Sequence, residues 1–250
     1  RGIKLSLILD GSGGITTNSG TVVSTTDATI SGLTVGKGGG SGAANTAFGV
    51  SALAADTLNS GVTAIGNHAG ALFNTNSDTG QSTFVGYYAG ASCVTGTDNT
   101  FVGGSAGVNT TGSKNTVLGS QALQLNTTAS YITAVGYQAG YNSTGYNNTI
   151  IGSQAGSNAA LTGNDNVLIG QGAGYILTSG ARNTFIGGGY YGVTQGSGSA
   201  MTTGSANTII GHYTGNQGGL DIRTSSNYIV LSDGDGNPRI YNSGTNTIND

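Results

Sequence analysis

Along most of the chain, apolar residues come in adjacent pairs within a recurring pattern: Asn, Thr, two apolar residues, Gly, two variable residues, Ala and Gly. Ten copies are present, with the apolar pair and glycine at Ala47-Phe48-Gly49, Ala64-Ile65-Gly66, Phe84-Val85-Gly86, Phe101-Val102-Gly103, Val117-Leu118-Gly119, Ala134-Val135-Gly136, Ile150-Ile151-Gly152, Leu168-Ile169-Gly170, Phe185-Ile186-Gly187 and Ile209-Ile210-Gly211. The glycines are separated by 17, 20, 17, 16, 17, 16, 18, 17 and 24 residues. A few residues of Thr and β-branched or aromatic character bounded by Gly predict a short strand, and a second short strand around the Ala is expected to return the chain. One repeat is then one coil of a stack, and the insertions before Gly86 and Gly211 are loops. Ala52, Ala69, Ala89, Ala106, Ala122, Ala139, Ala155 and Ala173 follow the first eight glycines by three residues, and Tyr190 and Thr214 replace them in the last two, as in a capping repeat.

Adjacent side chains on a strand face opposite ways. An apolar pair therefore requires two covered faces. The second member is uniformly large (Phe48, Ile65, Val85, Val102, Leu118, Val135, Ile151, Ile169, Ile186 and Ile210) and is expected to fill the narrow interior of the coil. The first mixes Ala with Phe84, Phe101, Val117, Ile150, Leu168, Phe185 and Ile209, and is expected to stack into a long outer stripe. Monomers rarely expose such a stripe, so an obligate homo-oligomer is predicted. The fixed glycine implies a bend with positive φ or a wall too close for a Cβ. Asn45, Asn99, Asn115, Asn148, Asn166, Asn183 and Asn207 open seven copies, either as an amide ladder or as plain turn formers.

Composition agrees with a β fold. The 250 residues include 48 Gly and a single Pro, only 7% are charged, and every acidic residue is Asp. Helix formers are scarce while turn and strand formers abound. A hydrophobic fraction of 36% and a net charge of −3 argue for order. With no basic stripe the chain lacks the footprint of a nucleic-acid binder, and no segment is long and apolar enough for membrane insertion as a helix. Cys93, the lone cysteine, reads as a small residue in a turn. The opening Arg1-Gly2-Ile3 reads as the start of a piece of a longer protein.

Asn99-Thr100-Phe101-Val102-Gly103-Gly104-Ser105-Ala106-Gly107 and its relatives resemble the head repeat of trimeric autotransporter adhesins, over about residues 44–216. The resemblance implies a left-handed parallel β-roll, three copies side by side, one apolar position filling each roll and the other the trimer centre. The segment Asn227-Tyr228-Ile229-Val230-Leu231-Ser232-Asp233-Gly234-Asp235-Gly236-Asn237-Pro238-Arg239-Ile240 is similar to one found after such rolls in bacteriophage tail fibres. Together these imply a rigid extracellular or virion-tail fibre segment attaching to a host surface glycan or protein, with an adhesin head or a polysaccharide-degrading tailspike as alternatives. The expected organisation is an N-terminal segment and cap over 1–43, the roll over 44–219 and a hairpin connector over 220–250. Within the first, Ile3, Leu5, Leu7 and Leu9 alternate as a strand and Leu33-Thr34-Val35-Gly36 reads as a degenerate first coil.

No catalytic residue, cofactor or metal is expected. Asp233, Asp235 and Asn237 alternate like calcium ligands, but Pro238 stands where a turn Gly belongs and no Glu completes the cage, so a hairpin is the better reading. Asp78 and Asp98 are too uncertain in register for the paired carboxylates of glycoside hydrolysis. His68 and His212 lie on different coils and are expected to face solvent. Tyr87, Tyr88, Tyr137, Tyr141, Tyr146, Tyr175, Tyr190 and Tyr191 fall after repeat glycines or in loops, where rings with a hydroxyl suit a sugar or protein surface, or pack the loops. Receptor contact is expected first at Tyr190, Tyr191 and an insertion spanning Gln195 to Met201, with Tyr141 and Tyr146 as further candidates.

Overall fold

The computed structural model describes residues 28–30, 33–39, 44–57, 59–75, 81–189 and 195–244. After β1 (Ala28–Ile30) and β2 (Leu33–Gly36), each repeat supplies one strand: β3 (Thr46–Gly49), β4 (Thr63–Ile65), β5 (Thr83–Val85), β6 (Thr100–Val102), β7 (Thr116–Leu118), β8 (Thr133–Val135), β9 (Thr149–Ile151), β10 (Val167–Ile169), β11 (Thr184–Ile186) and β12 (Thr208–Ile210). Consecutive strands pair in parallel and in register, as in Thr100↔Thr116, Phe101↔Val117 and Val102↔Leu118. The fold is an all-β parallel solenoid of about ten turns with a period near 17 residues, with no helix among the described residues. The N-terminal strand signal at Ile3 to Leu9 lies outside the described residues.

The repeat glycine ends each strand for both of the reasons the sequence offers. Gly103 has φ 136°, and a Cβ there would lie 2.6 Å from the backbone carbonyl of Gly119 in the next coil. Beyond it the expected second strand around the alanine is replaced by a turn: the chain passes through two left-handed residues, Ser105 and Gly107, both at φ 56°, which flank the buried Ala106 and are incompatible with a strand.

The two members of the apolar pair exchange the roles expected of them. The first is inside: Ala47, Ala64, Phe84, Phe101, Val117, Ala134, Ile150, Leu168, Phe185 and Ile209 form one continuous core. The second faces out, with Leu118 half exposed. Alternation explains this, because the strand opens on an outward Thr, so the next side chain turns in and the following one out. Size uniformity misleads because the interior shares its volume between two positions. Leu53 and Leu123 stand four residues after their glycines, where the strand residues of their own and the next coil are Ala47 and Ala64, or Val117 and Ala134. Against Phe84 and Phe101 the same place is Gly90, whose Cβ would come within 2.4 Å of the Phe84 ring. A third inward column, seven residues after the glycine, holds Phe73 and Cys93; Phe73 meets Phe84 edge-on at 5.2 Å.

All seven repeat asparagines are buried. Their amides serve mainly the backbone of the next coil. Asn183 Oδ1 accepts from the Asn207 amide (3.0 Å), and its Nδ2 donates to the Gly204 carbonyl (2.9 Å) and to Asn166 Oδ1 (3.1 Å). Direct amide-to-amide contact is confined to Asn148, Asn166 and Asn183, so the ladder is largely side chain to backbone. Asn183→Ala leaves a buried N–H and a buried C=O unpaired and is expected to lower unfolding free energy by about 3 kcal/mol. Denaturant titration of the variant checks this; a loss below about 1 kcal/mol would count against the ladder.

The N-terminal end departs from expectation, and the expected C-terminal hairpin is present but joined to the main sheet. Leu33–Gly36 is no first coil: β2 pairs antiparallel with β3, Val35 opposite Phe48, and β1 with β2. The stretch from Gly36 to Thr46 is shorter than that from Val102 to Thr116, so the chain reverses instead of completing a circuit. At the other end, β13 (Asn216–Gln217) and β14 (Leu220–Asp221) form a small hairpin. β15 (Ile229–Ser232) then continues the main sheet in parallel with β12, and β16 (Pro238–Asn242) turns back antiparallel onto it. The solenoid therefore runs one strand beyond the ten repeats.

The insertion before Gly211 sits elsewhere than at Gln195 to Met201. Gly174 N donates to Ser197 O just as Gly156 N donates to Ala173 O, and Gly198 N donates to Tyr213 O. Ser197 and Tyr213 thus occupy the alanine column, in place of Tyr190 and Thr214. The Ser197 amide reaches back to the Gly187 carbonyl as Ala106 does to Gly103. The extra residues consequently lie between Gly187 and Ser197, while Gly196 to Met201 is a regular return whose Met201 is fully buried.

Candidate functional site

The strand side presents two outward columns. One is Thr in nine of the ten repeat strands, with Val167 in β10; the other is the second apolar position. In-register pairing lays the apolar side chains at about 4.8 Å intervals down one flat sheet. Phe48, Ile65, Leu118, Ile186 and Ile210 are between 37% and 50% exposed, and Val85, Val102, Val135, Ile151 and Ile169 are partly exposed between them. Leu231 of β15 extends the column. None of the ten strands carries a charged side chain, so nothing on this surface opposes close apposition of another apolar face.

The return side carries the recognition candidates. Tyr141 and Tyr175 are half-buried and both border a cleft with Gln138 and Gln154, whereas the exposed Tyr146 lies apart, its amide donating to Asn164 Oδ1. Gln195 borders the adjoining hollow together with Tyr175, and Tyr190 and Tyr191 lie outside the described residues. A second aromatic group joins Tyr88, stacked on His68 at 4.7 Å, and the exposed Tyr87. Tyr131, also exposed, has Lys114 Nζ at 5.2 Å from its ring. The histidines are partly buried and engaged rather than free in solvent: His68 Nδ1 meets Asn67 Oδ1, and His212 bridges the carbonyls of Gly234 and Gln195.

Asp98 stands exposed beside the Thr97 hydroxyl, and Asp78 lies outside the described residues. Asp233 closes the hairpin between β15 and β16, accepting from the amides of Asp235 and Asn237 and pairing with Arg239. The Asn237 amide and, after it, the Arg239 guanidinium hold its carboxyl down at about 2. No group of His, Cys, Asp or Glu among the described residues has the clustering of a metal site.

Cys93 is an interior residue, not a turn filler. Burial pushes its thiol up to about 12, against smaller opposing hydrogen-bond effects from the Gly96 backbone and the Asn99 side-chain amide. At neutral pH it is a protonated, enclosed thiol, and reaction with an aromatic disulfide reagent is expected to be about a hundredfold or more slower than in denaturant. Labelling at the denatured rate would contradict its placement.

The columns were findable from sequence in part. What concealed the alanine-equivalents Ser197 and Tyr213 is that their spacing from the glycine changes: Ser197 stands ten residues after Gly187, across a loop, and Tyr213 only two after Gly211. Comparison with protein-family models, with curated proteins and with solved structures finds no match.

Proposed function

We propose that the chain is a segment of a rigid, trimeric extracellular fibre that attaches a phage tail to its host cell surface. The single observation that carries this reading is the uncharged, partly exposed apolar column along the whole strand side. Unbroken apolar surface of this length is characteristic of association surfaces, and the even spacing of the column suits an identical, equally spaced column on a second and third copy. The number three, the left hand and the tail-fibre setting rest on the resemblance of the repeats and of Asn227 to Ile240. In this arrangement the coils supply stiffness, because every coil is bonded to the next along its strand, its return and its asparagine. Recognition belongs to the return side and its loops.

Incubating the purified protein with host cells and with their capsule or lipopolysaccharide tests this. Saturable binding that blocks phage adsorption, with no oligosaccharide released, is the expected result. Released oligosaccharide would replace the fibre by a degrading tailspike, and absence of binding would remove the attachment role.

A further inference from the structure

Tyr141, Ser157 and Tyr175 occupy the same outward position, five residues after their glycines, in three consecutive coils. Two rings stand about 10 Å apart along the axis with a small residue between them. The resulting cleft of about 280 Å³ is completed by the side-chain amides of Gln138, Asn142, Gln154 and Asn158. Gln154 Nε2 donates to Gln138 Oε1 and Gln138 Nε2 to Gln121 Oε1. The row stops there because Gly172, next in the column, brings no side chain, which leaves the Gln154 oxygen as an acceptor at the cleft.

The backbone is also open at this point. On the return side, each coil's sixth residue after glycine donates to the fifth of the next: Ser92 to Val108, Asn109 to Gln124, Leu125 to Tyr141, and further on Asn158 to Tyr175, with Ile176 to Ser199, two residues after Ser197, as the equivalent beyond the insertion. Among the described residues only the rung from Asn142 to Ser157 is missing from this series. The coil from Gly152 to Gly170 is 18 residues long, and its core residue Leu161 stands nine residues after the glycine where Leu177 stands seven after its own. A backbone donor and acceptor are thereby left for a ligand.

Tyr175 also lines a second hollow of about 240 Å³, together with Gln195, and Ile176 and Ala200 line both that one and a third beside Arg223, so the three adjoin as a furrow on the return side. The first two have no charged lining residue, and in the third Arg223 is engaged by Asp221 at 2.8 Å. Resting on the reading of the chain as an attachment fibre, we propose that this furrow binds a neutral, linear oligosaccharide, with one sugar seated between Tyr141 and Tyr175. Aromatic faces take the apolar face of a sugar ring, and side-chain amides with free backbone groups satisfy hydroxyls. An acidic glycan would meet no free cation here. An extended peptide would need a ladder of free backbone groups, where only one rung is open.

The test is calorimetric titration of the full chain with maltohexaose, cellohexaose, laminarihexaose, mannohexaose and chitohexaose, with hyaluronan and galacturonan hexasaccharides as acidic comparators. At least one neutral hexasaccharide is expected to bind with a Kd of about 1 mM or tighter. Tyr175→Ala should weaken it about tenfold. Ser157→Tyr, which adds a ring but fills the gap, should weaken it at least as much, while Tyr131→Ala leaves it unchanged. Binding of none of the neutral sugars, tighter binding of an acidic one, or indifference to Tyr175→Ala would each overturn the proposal. An oligomer that binds none of them sinks the furrow and spares the fibre. A monomer that binds one does the reverse.

Discussion

Gly103→Ala is expected to cost about 3 kcal/mol or more of stability, while Gly104→Ala beside it changes stability by less than about 0.5 kcal/mol. The two residues differ in what a methyl group meets. At Gly103 it would lie 2.6 Å from the carbonyl carbon and oxygen of Gly119, and φ 136° is itself unfavourable for an L residue. Backbone facing backbone cannot be relieved by a rotamer change. The coils would have to separate, stretching the bond from Gly119 N to Val102 O, now 2.8 Å. At Gly104 the nearest atom to an added Cβ is Ser120 Oγ at 3.9 Å, ordinary contact distance. Equilibrium denaturation of both variants reads the difference, and equal losses would mean that the close stacking of glycine columns does not set the coil spacing.

The second large effect concerns the outer column. Leu118→Lys combined with Ile151→Lys is expected to convert the proposed trimer to monomers at micromolar concentration. Each burial of such a side chain contributes about 1.5–3 kcal/mol, the loss recurs in every copy, and an unpaired ammonium in a closed apolar seam adds several kcal/mol more. Leu72→Lys is the control: Leu72 is as exposed as Leu118, at 51% against 50%, but belongs to the return side. It should leave the oligomer intact. Dissociation by Leu72→Lys, or none by the double substitution, would move the association surface off the strand side.

The period and the strand positions were legible because Gly, Thr and the apolar pair recur with little variation. The direction each apolar residue faces was harder to read. Large uniform side chains looked like core, yet the core proved to be the variable column, whose volume is balanced by Leu53 and Leu123 against Gly90 and Gly107. That balance links positions in neighbouring coils and is invisible when each column is read alone. Leu33–Gly36 had the composition of a coil but too little chain behind it to close one. The candidate cleft was half visible: Tyr141 and Gln195 were identified singly, but their alignment with Tyr175, and the unmade rung at Asn142, depend on an extra residue in one coil whose effect on register no pattern of residue types displays.

Sedimentation equilibrium of the full chain tests most directly whether the strand-side column is a seam between copies. A single species of three times the 24.5 kDa chain mass is expected, and a folded species of 24.5 kDa that persists as concentration rises would contradict the seam.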